Sequence, residues 1–495
     1  MKRVTLLSTL LLTFFLSNGQ NEEDILRYSY TKLNGTPRSL GMGGAMNTLG
    51  ADLSVINGNP AGLGFYRSNA YLFGLGVNSW VTKSTYIGTQ NRANNTSLNI
   101  PNLGISFTQL NMNKGKEVTK GIVSYTLAFS LARKNDLNQS MYFTGNNSSS
   151  SILDHYAEIS NGIPNSELSQ DVTSVPGMAW NAYLINADTF GGPDSYMANL
   201  PDQITMFQQN SIERSGRQND FSTAFGLNIS HRLYLGVSVS INTLLFEQTQ
   251  IWKEQNVDVY TSPHSMTDNA TFRARGSGFS IQLGSIFRIT EFLRAGVHYK
   301  SRTRYSITES YTYTISSTNF DPGMTYNYTS DPARFSYDLR VPSRLGGGLS
   351  YIFGEHGSLS AEMERLDYRE GRLNSTPYDF KTENDRVQNS FTSTYNFKFG
   401  GEFLYGPYRI RAGYAFFGSP LNKELSEGAR LGTQCYTGGL GYRHKHGFFV
   451  DFAAVFEQNQ SFYTPYSLEY TQREVYSALN TNNSLRFSVA IGSSF

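Results

Sequence analysis

Two short patterns in this sequence carry residue types that could do chemistry. His444-Lys445-His446 sets two imidazoles at a spacing that suits a shared cation. A structural zinc takes four N or S ligands. The other five histidines, His155, His231, His264, His298 and His356, are scattered and supply no third ligand beside the pair. Several of them fall in or near turns, where a solvated imidazole is the plain alternative. The second pattern is Leu40-Gly41-Met42-Gly43-Gly44-Ala45. A nucleotide-binding loop would need a strand before it and an acidic residue at a set distance after it, and neither is there. Glycines at Gly41, Gly43 and Gly44 serve better to let backbone approach backbone in a crowded interior. No paired Asp or Glu stands out for acid–base work. No catalytic residue, metal or cofactor is assigned, and an enzyme is not expected.

The elements that hold these residues read as strands. Gly (46), Phe (33) and Tyr (32) are abundant and only 16% of residues are charged, a composition that favours β-structure with frequent turns. Mean hydropathy is −0.38, and beyond the first residues no apolar stretch reaches the length of a membrane helix. Net charge is +2 without a basic cluster, so the electrostatic footprint of a nucleic-acid partner is missing. The start of the chain, a basic Met1-Lys2-Arg3, an apolar Val4 to Leu16 and small residues at Ser17 and Gly19, reads as a secretory signal peptide over residues 1–19. Gln20 is then the first mature residue. The single cysteine, Cys435, excludes an intrachain disulfide.

Alternation with period two marks the strands themselves. Leu485, Phe487, Val489 and Ile491 share one parity, while Arg486, Ser488, Ala490 and Gly492 hold the other. Leu235, Val237, Val239 and Ile241 alternate with small or polar residues in the same way. Tight connections, such as Thr290-Glu291 and Tyr405-Gly406-Pro407, alternate along the chain with long polar ones. Outer-membrane barrels have that asymmetry, with short periplasmic turns and long outer loops. The count comes to fourteen strands, the first four over 69–81, 102–112, 120–133 and 221–231, the eleventh and twelfth over 408–417 and 433–443, and the last over 484–495. The expected fold is all-β: a 14-stranded antiparallel transmembrane β-barrel over 66–495, preceded by a plug over 20–65. The last strand closes on Phe495, which resembles the signal by which outer-membrane barrels engage their assembly machinery.

Between the third and fourth strands, the segment 134–220 is too long to be plain filler. Its aromatic and apolar side chains, Trp180, Tyr183 and Phe190 among them, suit either a greasy capture surface or a structural cap.

The glycine run is followed by Asn57-Gly58-Asn59-Pro60-Ala61-Gly62-Leu63, just ahead of the first strand. This pairing resembles the hatch of the FadL/TodX-type outer-membrane transporters, and Asn59-Pro60-Ala61 is its most specific point. Pro342 to Tyr368, Phe397 to Leu421 and Tyr436 to Val455 resemble strand pairs of the same family. The resemblance implies a fourteen-stranded barrel in the outer membrane of a Gram-negative bacterium, with its N-terminal segment folded inward. It implies uptake of long-chain fatty acids or related lipophilic compounds, captured by the loops, held near Gly41, Gly43, Gly44, Asn59, Pro60 and Ala61, and released into lipid through a wall gap at a kinked third strand. Membrane lipids and a hydrophobic ligand are then the partners. The third strand, Ile122 to Arg133, departs from this pattern in having neither Gly nor Pro to kink it. The alternative within the same fold is a secretion-system or surface docking protein, in which large loops receive proteins.

Overall fold

The computed structural model describes residues 22–30, 32–192, 194–201, 204–257, 263–319, 323–422, 432–471 and 473–495. The expected signal peptide 1–19 and the first mature residue lie outside them. The wall begins with β1, Ala70–Tyr86. Next come β2, in two pieces Thr89–Asn99 and Asn102–Leu110, and β3, in two pieces Ile122–Asp136 and Gln139–Asn147. β4 Met206–Ile229, β5 Leu233–Asn256 and β6 Ser265–Arg288 are each 24 residues long. β7 joins Leu293–Lys300 to Thr303–Thr318, and β8 joins Ala333–Val341 to Arg344–Ile352. β9 Gly357–Asp367, β10 Ser393–Tyr405, β11 Tyr408–Phe417, β12 Thr433–Arg443, β13 Phe448–Tyr463 and β14 Ala478–Ser494 complete the set.

These fourteen strands close on themselves. β14 pairs antiparallel with β1 from Ala70 opposite Ser494 to Thr85 opposite Leu479, which closes the lower wall into a ring. Closure satisfies the backbone groups that lipid cannot. Alternation then sorts the side chains. Tyr71, Phe73, Leu75 and Val77 of β1 are exposed, as are Val237, Val239 and Ile241 of β5 and Phe487, Val489 and Ile491 of β14. Together with their counterparts on the other strands they form an outward apolar belt, the face a barrel presents to lipid. The inward set is polar and buried: Asn78, Thr82, Ser240, Asn242, Ser484 and Ser488.

Both ends of the wall lie at one rim, with the short turns at Thr290-Glu291, Gly406-Pro407 and Lys445-His446, and there the amide of Phe495 bonds the carbonyl of Asn69 at 2.9 Å. At the other rim β4, β5 and β6 run on well past the 9–11 residues that cross a bilayer. Here the expected long loop 134–220 is corrected. Its two ends are strand, the upper parts of β3 and β4. The remainder folds into helices α3 Ile152–Ser160, α4 Asn165–Leu168 and α5 Val175–Asn181 and a small hairpin, Ile185–Ala187 with Tyr196–Ala198. The expected first strand is also longer than 69–81, because a two-residue turn at Ile87-Gly88, both at positive φ (45° and 75°), folds Thr89–Asn99 back onto it.

Candidate functional site

The N-terminal segment runs down the inside of this wall. Its short helices are α1, Glu22–Ser29, and α2, Pro37–Gly41. Two 3-10 turns follow, Leu53–Asn57 and Pro60–Phe65. Near its start Ile25 and Tyr28 pack on Phe246, Tyr305 and Tyr337 of β5, β7 and β8. At its end the Phe65 ring stacks on Tyr234 at 3.8 Å.

Between those ends, glycine meets glycine at two seats. Gly41 and Gly43 lie on β10, β11 and β12. A Cβ on Gly41 would stand 3.1 Å from the Cα of Gly439, and one on Gly43 2.7 Å from the carbonyl of Phe399. Gly43 also takes φ +62°, a conformation costly for any other residue. Gly400 and Gly413, directly opposite one another in the wall, leave room for the backbone of Met42 and Gly43. Gly44 turns away to face Leu33. The second seat takes Asn59, Pro60 and Ala61. Gly226, Gly236 and Gly284 stand in one row across β4, β5 and β6, and any Cβ there would run into Asn59 through Gly64. The sequence therefore grouped six residues that occupy two separate seats. The wall glycines were missed; their signal is glycine at inward parity inside otherwise β-favouring strands.

Polar bonds fix the seats. Asn59 is fully buried. Its Oδ1 accepts from the amide of Ala61 at 3.2 Å, and its Nδ2 donates to the carbonyls of Ser285 (3.2 Å) and Val297 (3.4 Å). Pro60 holds the turn's first position, where its missing N–H leaves no unpaired donor. Glu362 accepts from the amide and side chain of Asn47 at 2.6 and 2.7 Å. Arg38 pairs with Glu402 at 2.9 Å, Glu402 with the buried Arg411 at 2.6 Å, and Arg411 with Asp451 at 2.7 Å. A buried chain of this kind holds because each charge has an opposite neighbour and directed hydrogen bonds.

The wall changes character between β2 and β3. Their lower parts pair from Asn102 opposite Ala132 to Leu110 opposite Ser124, and a last bond joins the Arg133 amide to the Pro101 carbonyl at 2.8 Å. Above it no ladder joins Thr89–Asn99 to Gln139–Asn147, all of which are described. Both strands carry an irregular residue at this height. Pro101 has no N–H to offer. Opposite Gln218 and Asn219 of β4, Lys134 is the extra residue of a β-bulge, which flips the inward parity of β3. Side chains bridge the seam instead: Ser97 Oγ to Asp136 Oδ2 (2.8 Å), Asn95 Nδ2 to Ser140 Oγ (3.2 Å) and the Thr144 amide to Asn91 Oδ1 (2.9 Å). Beside it Leu98 and Ile100 are exposed. The interruption in β3 needs neither Gly nor Pro within Ile122–Arg133, because the bulge and the proline of its neighbour supply it.

Over the mouth sits the cap, residues 148–205. Leu153, Tyr156, Met178 and Leu184 share one core with Tyr86, Phe143, Trp252 and Ile315 of the strand ends. Buried Glu254 of β5 accepts from the Ile152 amide (3.0 Å), Gln208 Nε2 (2.8 Å) and Trp252 Nε1 (3.1 Å), which ties the start of α3 to the barrel. Burial alone would raise the Glu158 carboxyl, but the backbone amides of Glu469, Thr471 and Tyr470 hold it below the usual range. Of the aromatic side chains singled out here, Trp180 packs edge-on to Tyr196 at 5.6 Å and Tyr183 lies against Tyr326 at 4.9 Å. Phe190 is 99% exposed at the tip of the hairpin. No ring contact joins the three among the described residues. A cavity of about 220 Å³ where the two ends of the cap join the strands is lined by Ser148 to Ser151, Leu200, Ile204, Met206 and Arg473. His444 and His446, with rings 5.1 Å apart, sit on a turn of the opposite rim.

No family model matches the chain, and no curated protein matches it in sequence. Solved structures do match in shape. The toluene transporter TodX of P. putida aligns over 94% of this chain and 99% of its own, with TM-score 0.52 at 14% identity. A FadL homologue of Pseudomonas aeruginosa aligns over 94% and 100%, with TM-score 0.56 at 11% identity. The chain has the FadL/TodX barrel fold. In that fold the strand count and closure are as the sequence predicts, and the β2–β3 seam, the N-terminal segment and the cap are the parts on which a functional reading must rest.

Proposed function

We propose that this protein is an outer-membrane channel that takes up hydrophobic small molecules, long-chain fatty acids or related lipophilic compounds, and that residues 20–65 act as its hatch. The observation that carries the reading is the β2–β3 seam, where the ladder ends beside exposed Leu98 and Ile100. An apolar solute gains by leaving sideways into hydrocarbon and gains nothing from an aqueous exit. The cap, with Phe190 at its tip and a partly apolar cavity where its ends join the strands, is the capture surface. The seats of Gly41, Gly43 and Gly44 and of Asn59, Pro60 and Ala61 hold the hatch across the lumen. The strand ending at Phe495 is the part offered to the barrel-assembly machinery.

The test closes the seam. Cysteines at Asn95 and Ser140, whose side chains already touch, are cross-linked in cells, and uptake of a labelled long-chain fatty acid is measured. Uptake should fall on oxidation and recover on reduction, at unchanged surface levels. Uptake that ignores the cross-link removes the lateral route. A wild-type barrel that raises uptake of no lipophilic compound above that of cells lacking it removes the transport reading.

A further inference from the structure

A second cavity, of about 80 Å³, lies between the N-terminal segment and the wall of β6 to β11. Its chemistry is unlike that of the cap cavity. Of its sixteen lining residues only Leu33 and Phe417 are large and apolar. Four basic side chains line it, Lys32, Lys300, Arg344 and Lys398, together with His298, against one carboxylate in the lining, Glu364. Lys300 has a partner outside the cavity, Asp220 at 3.3 Å, and Lys32 donates to the carbonyl of Asp136 at 3.0 Å. Glu364 lies 3.8 Å from His298 and accepts from Asn396 at 3.1 Å. Among the described residues Arg344 and Lys398 form no ion pair, and Arg344 donates to the carbonyl of Ser29 at 3.5 Å. His298 is 6% exposed, and its Nδ1 has no hydrogen-bond partner.

Enclosed cations are stable only with counter-charge and directed acceptors close by. Of the wall carboxylates on this side, Glu362 bonds Asn47, Glu364 meets His298 and Asn396, and Asp220 pairs with Lys300, and none of the three forms an ion pair with Arg344 or Lys398. A guanidinium fork and an ammonium on one wall match the geometry of an oxyanion. The volume holds several waters, at roughly 10–15 Å³ of probe-occupied space each, or one small tetrahedral or planar anion. It has no apolar wall for an alkyl chain.

We propose that this cavity binds a small hydrophilic oxyanion, of the class of inorganic phosphate, sulfate or a short carboxylate, between Arg344, Lys398 and His298 of the wall and Lys32 of the N-terminal segment. The anion supplies the missing counter-charge and bridges the segment to the barrel. The inference stands apart from the transport reading, because binding is measured without uptake.

The experiment is calorimetric titration of the full-length barrel, purified in a non-ionic detergent and dialysed free of phosphate and sulfate. Inorganic phosphate should bind saturably at one site per chain. Lys398→Gln should weaken binding at least tenfold. Glu364→Gln, which removes the competing negative charge, should tighten it, so the two variants move in opposite directions. That contrast excludes a general loss of structure, and the second variant keeps the test open if the first fails to fold. Acetate and laurate distinguish a free oxyanion from the head of a lipid, and the two should bind alike. The proposal falls if phosphate, sulfate and acetate all fail to bind saturably, if neither variant changes the affinity, or if laurate displaces phosphate far better than acetate does.

Discussion

The N-terminal segment runs along the lumen and the cap covers its mouth, and they attach to the wall by different physics. The segment buries apolar side chains beside its two middle seats, Leu40 and Met42 near the first and Leu63 at the second, but the seats themselves are backbone contacts. It lays backbone against glycine rows and fastens itself with buried polar groups: Asn59 to Ser285 and Val297, Asn47 to Glu362, Arg38 to Glu402. The cap behaves as a small domain whose core continues the strand ends, with Leu153, Met178 and Leu184 on Phe143 and Trp252. Close backbone docking leaves no tolerance for a side chain, whereas an apolar core yields by degrees. Substitution should therefore act abruptly in one region and gradually in the other.

The largest effect is expected at Gly236. A valine there would drive Cβ and two methyls into the Pro60–Ala61 backbone. The cost should exceed about 3 kcal/mol, beyond the usual range for overpacking. The barrel should still form, seen as heat-modifiable mobility, but the segment should leave its seat and permeability to small antibiotics should rise. Unchanged permeability would mean that the segment does not seal the lumen. In the cap, Leu153→Ala should cost about 2–3 kcal/mol through lost burial and a partly collapsed cavity. Protease should then cut within 148–205 faster while permeability through the lumen stays as in the parent. A permeability change as large as that of Gly236→Val would erase the distinction between the two regions. The smallest effect is set by Asn59→Ala, which leaves the carbonyls of Ser285 and Val297 without their side-chain donor. It should weaken the seat by about 1–3 kcal/mol. Hydrogen exchange at residues 57–64 should quicken with the barrel intact. Asn59→Asp keeps the acceptor for the Ala61 amide but turns a buried carboxylate towards both carbonyls, so it should weaken the seat more than the alanine variant does.

How much of this was legible in the sequence depends on how local each feature is. The direction of each face, the count of fourteen and the short turns of the rim that holds both ends follow from alternation and turn residues, which act over two to five positions, while the Ile87-Gly88 turn escaped them. β11 and β12 fall where their alternation places them, at Tyr408–Phe417 and Thr433–Arg443. The corner at Asn59-Pro60-Ala61 was visible for the same reason, since proline and a capping side chain act on their immediate neighbours. The upper parts of β3 and β4 were not visible, because in Gln139–Asn147 and Met206–Asp220 the outward face loses its apolar run once the strands rise beyond lipid, and buried Phe143 and Ile212 stand among polar neighbours. The glycine rows and the seam lay equally out of reach. Gly226, Gly236 and Gly284 mean little one at a time and become a seat only when register sets them side by side. The bulge at Lys134 matters only because Pro101 stands at the same height on the next strand. The sequence by itself determined which residues face lipid and which face inward. Which of them meet across the lumen was decided by the closed barrel, because register and shear are properties of the whole ring and of no single strand.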